Sequence, residues 1–233
     1  DWDVAYALAI HPTTGDVYVA GYTDSADFPR TSGGAQKDYG GGKQDAFVAR
    51  LNSSLTQILQ STYLGGSKED KAQALAIHPI TGDVYVAGYT DSTDFPRTTG
   101  GAQRRYGGGY SDAFVARFNS DLTQILQATY LGGRGGDWAR ALAIHPTTGE
   151  VYVAGHTSST NFPNTSGGAQ ASKDRDFDAF VARLSANLAA GKNSGSGGGF
   201  YMIGFVSSLT GAWTILLLLF VPAFLVTRRI RKR

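Results

Sequence analysis

One block of sequence is written three times in this chain, at a spacing of 67 residues. Ala-Leu-Ala-Ile-His-Pro occurs at 7–12, 74–79 and 141–146, each time followed by Gly-Asp/Glu-Val-Tyr-Val-Ala-Gly. Residues 5–66 and 72–133 are identical at 51 of 62 positions. Such a repeat constrains the fold more than any bulk property does, because each copy is one supersecondary unit that buries its apolar surface against its neighbours.

Each copy carries four segments of strand character. In the first copy residues 7–11 are short and apolar. Residues 16–23 (DVYVAGYT) and 45–51 (DAFVARL) alternate with period two and are rich in Val, Tyr and Phe. Residues 57–64 (QILQSTYL) end at Gly65-Gly66. Pro-Thr-Thr-Gly between the first two segments is a hairpin connection. No segment holds a 3.6-residue apolar period, so the repeat is expected to be all-β. Four antiparallel strands joined by short connections make the blade of a β-propeller. The surplus over a blade of about 40–45 residues lies in residues 24–44, rich in Gly, Pro, Asp and Ser.

The succession ALAIHPTTGDVYVAGYTDSADFP, GGAQ, YGGG, DAFVARL and TYLGG resembles the bacterial SBBP-type β-propeller repeat over roughly residues 1–188. The resemblance implies a propeller in an exported bacterial protein and implies no defined activity. On this reading blade 1 covers about 4–66, blade 2 about 71–133 and blade 3 about 138–188. The third copy stops early. Where QILQATYLGG should recur, residues 186–191 read ANLAAG and run into a Gly/Ser linker at 191–199. The expectation is therefore 11 strands, about 2.75 blades, with residues 1–190 forming part of a larger ring. The chain opens on Asp1-Trp2-Asp3 without a basic n-region, which suggests that it continues an array begun upstream. Assembly of several copies into one ring is the alternative.

The C-terminal stretch differs in kind. Residues 200–226 hold no charge and include Ile-Leu-Leu-Leu-Leu-Phe-Val at 215–221. That is long enough for one transmembrane helix, expected over 200–227, across a core of about 30 Å. Arg228, Arg229, Arg231, Lys232 and Arg233 follow at 228–233 and place that end in the cytoplasm by the positive-inside rule. The repeats would then lie outside the cytoplasm, periplasmic or on the cell surface. Gly197, Gly198 and Gly199 before the apolar span, with the Arg cluster after it, resemble a bacterial sorting signal of the GlyGly-CTERM kind. That resemblance implies cleavage by an intramembrane, rhomboid-like sorting protease.

Charge and composition exclude several function classes. The formal net charge is +2, but with the five tail cations set aside residues 1–199 carry a net charge of −3. No basic face for nucleic acid is indicated. The chain has no cysteine, which removes disulfides, thiolate catalysis and Cys-based zinc sites.

Three candidate sites stand out, and each has a structural reading beside it. His11, His78 and His145 recur at one position per copy; blade-equivalent histidines lie about a sheet spacing apart and cannot converge on one zinc, so a turn role is expected. Asp24/Asp27 and Asp91/Asp94 offer oxygen ligands for Ca²⁺, or cap a turn before Phe-Pro. The third copy has Ser158 and Asn161 there, which favours the turn. Tyr39, Arg104, Arg105, Tyr106 and Tyr110 populate the long loops and are candidate contacts for protein or glycan. Trp2, Trp138, His156, Arg104-Arg105 and residues 173–176 break the repeat, with no nucleophile–base arrangement among them. No catalytic residue and no cofactor site is assigned. The expectation is a non-enzymatic, membrane-anchored surface binding, adhesion or scaffold module. The alternatives are part of a propeller-fold polysaccharide hydrolase or lyase, or a spacer for an N-terminal domain.

Overall fold

A computed structural model describes residues 2–166, 168–170, 172–173, 176–189 and 201–202. Twelve strands run through it: β1 Asp3–Ile10, β2 Val17–Thr23, β3 Asp45–Leu51, β4 Ile58–Leu64, β5 Asp70–Ile77, β6 Val84–Thr90, β7 Asp112–Phe118, β8 Ile125–Leu131, β9 Asp137–Ile144, β10 Val151–Thr157, β11 Asp178–Leu184 and β12 Tyr201–Met202. They form three four-stranded antiparallel sheets, β1-β2-β3-β4, β5-β6-β7-β8 and β9-β10-β11-β12, each strand pairing with the next in sequence. Among the described residues there is no helix, and so none long and apolar enough to cross a membrane.

The first strand of each sheet begins earlier than the apolar pattern indicates. Asp3, Asp70 and Asp137, which lie before the apolar segment, are its first residues and pair with Thr23, Thr90 and Thr157. A bulge between Ala5 and Ala7, and again between Ala72 and Ala74, hides the polar half from an alternation count. Gly21 and Gly88 face those bulges, where a Cβ would run into the carbonyls of Val4 and Lys71.

The third sheet also departs from expectation. Tyr201–Met202 pairs with β11 at Arg183 and Ala182, the register that β4 keeps against β3. These two residues belong to the segment expected to span a membrane; the rest of 203–233 lies outside the described residues, and with it Arg228, Arg229, Arg231, Lys232 and Arg233. Residues 185–189, within the stretch expected to belong to the repeats, form a turn: Leu188 has φ 55°, as Leu122 has φ 58° in the second sheet, and its side chain is fully buried.

The sheets stack in chain order. β5 packs on β1, β2 and β3, and β9 packs on β5, β6 and β7. Period-two alternation gives the middle sheet two apolar faces. Leu75, Val84 and Val86 meet Tyr18, Ala20 and Val48 of the first sheet, whereas Tyr85, Ala87 and Val115 meet Val151, Val153 and Leu184 of the third. The long loops cover the outer edges. Ser61 N–H donates to Arg30 O and Tyr63 N–H to Gln36 O, each at 3.0 Å, with the same pattern from Ala128 and Tyr130 to Arg97 and Gln103. An edge occupied in this way no longer offers free donors to another strand.

Candidate functional site

All the long connections gather at one end of the stack, where β3, β5, β7 and β9 begin, and four aspartates stand there. Asp45, Asp70, Asp112 and Asp137 are fully buried. Asp45 Oδ2 accepts from Gly40 N–H at 2.5 Å, and Asp112 Oδ2 from Gly107 N–H at 2.6 Å. Asp70 Oδ2 accepts from Gly66 N–H at 2.8 Å and from the Ser92 hydroxyl at 2.9 Å; Asp137 Oδ2 does the same with Gly133 and Ser159. Asp45 Oδ1 and Asp112 Oδ1 have no hydrogen-bond partner among the described residues. Burial disfavours the charged form, which pushes Asp45 and Asp70 up to about 7 and Asp112 up to about 8; Asp137 is raised for the same reason. Burial and then the Asp45 carboxylate push the Tyr39 phenol up to about 12. This constellation occurs once between the first and second sheets and again between the second and third. It ties consecutive sheets together.

The Asp-Ser-X-Asp loops do the same work from the other side. Asp94 Oδ1 accepts from Ser67 N–H at 2.9 Å and the Ser67 hydroxyl at 3.0 Å, so the loop after β6 clasps the loop after β4. Those bonds hold the Asp94 carboxyl below its ordinary range. In the third unit Asn161 Oδ1 accepts from Arg134 N–H at 2.8 Å. The clasp needs an acceptor and not a charge, which explains the change from Asp to Asn.

The carboxylates expected in pairs as Ca²⁺ ligands turn to separate tasks. Asp91 Oδ1 accepts from the Ser111 hydroxyl at 2.5 Å, whereas Asp94 holds Ser67. In the first unit Asp24 accepts from Trp2 N–H. Asp27, the counterpart of Asp94, stands exposed in the turn before Phe28, and among the described residues no loop of a preceding unit lies against it to be clasped. Its charge is one of the carboxylates that, after burial, raise the Tyr63 phenol. No group of three or more His, Asp or Glu suited to a metal occurs among the described residues, so neither Asp24 with Asp27 nor Asp91 with Asp94 belongs to one.

The histidines sit at the opposite end. His78 Nδ1 accepts from Ile80 N–H and Thr81 N–H, both at 3.2 Å, and His11 and His145 cap their turns alike. An Nδ1 that accepts leaves the proton on Nε2 in the neutral ring. The Nε2 of His11 lies 2.8 Å from where a Gly82 Cβ would be, and that of His78 lies 2.7 Å from the same point on Gly149.

Of the loop residues, Tyr39 and Tyr106 turn inward, edge-on to Tyr63 and Tyr130 at 5.7 and 5.9 Å. Arg104, Arg105 and Tyr110 are exposed. Gly197, Gly198 and Gly199 lie outside the described residues. A cavity of about 410 Å³ beside these loops is lined by Gln36, Arg97, Gln124 and Ile125 among others, residues that recur in the repeat.

The departures from the repeat converge instead. In the second unit Lys71 Nζ pairs with Glu69 at 2.9 Å and lies 4.6 Å from the Tyr22 ring centroid and 5.9 Å from that of Tyr89. In the third unit the counterparts of Glu69, Lys71 and Tyr89 are Gly136, Trp138 and His156. Trp138 lies over Gly136, where any Cβ would overlap its ring. It stacks on His156 at 4.9 Å and 22°, meets Phe177 at 6.0 Å, and meets Tyr89 of the second sheet edge-on at 6.4 Å. Phe177 is 59% exposed. Burial and then Arg140 depress His156, which favours the neutral ring. The three units differ at these places: the first has Trp2 and Val4, the second the Glu69–Lys71 ion pair, and the third a half-exposed aromatic platform. Sequence reading found Trp138 and His156 but missed Phe177 and Gly136; the signal was that the places of Glu69 and Lys71 differ in all three copies, with Trp2 and Val4 in the first and Gly136 and Trp138 in the third.

Searches against protein-family models and against curated proteins return no match for this chain.

Proposed function

We propose that this chain is a membrane-anchored β-propeller, its sheets serving as successive blades, that works outside the cytoplasm as a surface binding or adhesion module. The observation that carries the reading is a division of labour. Asp45, Asp70, Asp94, Asp112 and the capping histidines recur, and their bonds run within and between units. Three residues that break the repeat come together as the Trp138–His156–Phe177 platform. Flat aromatic faces with a polar rim hold ligands by apolar area and by their quadrupole, and the apolar C–H face of a sugar ring suits such a surface. Arg140, whose Nη1 donates to Gln73 at 3.0 Å, stands beside it. The apolar 200–227 segment and the tail cations support an anchor, and the Gly197–Gly199 motif supports removal of that anchor by a sorting protease.

The test is to incubate the chain with a panel of immobilised and soluble polysaccharides, and to measure retention and product formation together. Retention without chain shortening is the expected result. Release of reducing ends or unsaturated products would replace the binding reading with the hydrolase or lyase one.

A further inference from the structure

The two outer faces of the stack are the two halves of a contact that the molecule already makes twice. Between the first and second sheets, Leu75, Ile77, Val84 and Val86 press onto Ala7, Ala9, Tyr18 and Ala20. Between the second and third, Leu142, Ile144, Val151 and Val153 press onto Ala74, Tyr85 and Ala87. Among the described residues, the pressing residues of the first sheet and the receiving residues of the third have no sheet against them. Leu8 and Ile10 are 66% and 63% exposed, whereas their counterpart Leu75 is 9% exposed. On the far side Ala141, Ala143, Tyr152, Ala154 and Val181 line an apolar groove of about 150 Å³. Their counterparts Ala74, Tyr85, Ala87 and Val115 are buried.

The polar parts of the contact are split in the same way. Tyr18 Oη donates to Ser120 O at 2.6 Å and Tyr85 Oη to Ala186 O at 2.5 Å, and the next pair in the series is Tyr152 with Ser53. Ala35 N–H donates to Leu122 O and Ala102 N–H to Leu188 O, both at 2.9 Å, and the next pair is Ala169 with Leu55. Leu122 and Leu188 are fully buried by this arrangement, while Leu55 is 61% exposed. His11 and His78 rest on Gly82 and Gly149, which leaves His145 to rest on Gly15.

We propose that a second copy of this chain docks head to tail, its first sheet seated on the third sheet of its partner. The apolar and hydrogen-bonding pairs named above each have a counterpart inside the chain, so their shape and hydrogen bonding are already matched. The contact is heterologous, and it therefore either closes into a ring or runs on as a filament.

The experiment measures the mass of the full chain in mild detergent by sedimentation, for the wild type and for two face variants. One variant is Leu8→Asp with Ile10→Asp; the other is Ala154→Asp with Val181→Asp. The wild type is expected as a dimer or larger, and each variant alone as a monomer. An equimolar mixture of the two variants should associate again, because each keeps the face the other lacks, and a misfolded variant could not restore it. A monomeric wild type at the highest soluble concentration would overturn the proposal. So would association that survives in both variants, or a mixture that stays monomeric.

Discussion

Asp112 and Asp137 meet over Gly132. Asp112 Oδ1 and Asp137 Oδ2 both lie 2.7 Å from the point a Gly132 Cβ would occupy, and both carboxyls are fully buried. The chain brings together two groups that cannot both be charged without cost, and places their shared contact at the junction of the second and third sheets.

A pH dependence follows. The folded-state values of Asp45, Asp70 and Asp112 lie near 7, 7 and 8, above the ordinary value of 3.8 that each takes in the unfolded chain. Between these limits the native state binds more protons than the unfolded one, so stability falls as pH rises from about 4 to about 8. The Tm should drop across that interval. Asp112→Asn removes one ionisation while keeping an acceptor for Gly107 N–H; it should flatten the drop and be the more stable protein at pH 8. Calorimetry at pH 5 and pH 8 checks this, and an unchanged slope in the variant would count against it.

Gly132 itself is required by space. Gly132→Ala places a methyl group on both carboxylates, and overpacking of this kind costs about 1–3 kcal/mol. Urea denaturation should show that loss, and Gly65→Ala should show a similar one because Asp45 and Asp70 flank it in the same way.

The clasp at Asp94 needs an acceptor alone. Asp94→Asn should stay within about 0.5 kcal/mol of the wild type, as Asn161 does that work in the third unit. Asp94→Ala should cost about 1 kcal/mol through loss of the two hydrogen bonds from Ser67. The same change at exposed Asp27, Asp27→Ala, should leave stability within about 0.5 kcal/mol. Equal losses in the two Asp94 variants would contradict the clasp. Addition of calcium or a chelator should leave the Tm where it was; a shift would restore the Ca²⁺ reading of Asp24, Asp27, Asp91 and Asp94.

Much of this architecture could be read in the chain. DAFVAR followed by Leu or Phe sets β3, β7 and β11 to the residue, because a short run rich in Val and Phe between polar turns suits a strand packed on both faces. Its limits were also physical. The polar starts of β1 and β5 lie behind bulges. The two residues of β12 sit in an apolar run whose composition points to lipid. Asp27 and Asp94 look alike in sequence, yet only Asp94 has a neighbouring loop to hold. The long loops look like contact surface, yet their backbone goes to the edges of β4 and β8, a long-range pairing that local composition does not encode. The platform was half visible: Trp138 and His156 break the period, but Phe177 is brought to them by the fold.

Gly136 and Trp138 should behave as one unit. Gly136→Glu alone places a side chain into the Trp138 ring and should destabilise by about 1–3 kcal/mol. Gly136→Glu with Trp138→Lys rebuilds the pairing of Glu69 with Lys71 and should recover most of the loss. A double-mutant cycle read by denaturation measures the coupling, expected to exceed about 0.5 kcal/mol; additive losses would contradict it.

The central question is whether the Trp138–His156–Phe177 platform, rather than the exposed Arg104 and Arg105, makes the binding surface. Equilibrium binding to the polysaccharide retained best by the wild type decides between them, with Trp138→Ala compared against Arg104→Ala/Arg105→Ala. The account predicts a loss of about tenfold or more in Kd, ~1.4 kcal/mol, for Trp138→Ala, and little change for the arginine variant. Full binding in Trp138→Ala together with loss in the arginine variant would contradict it.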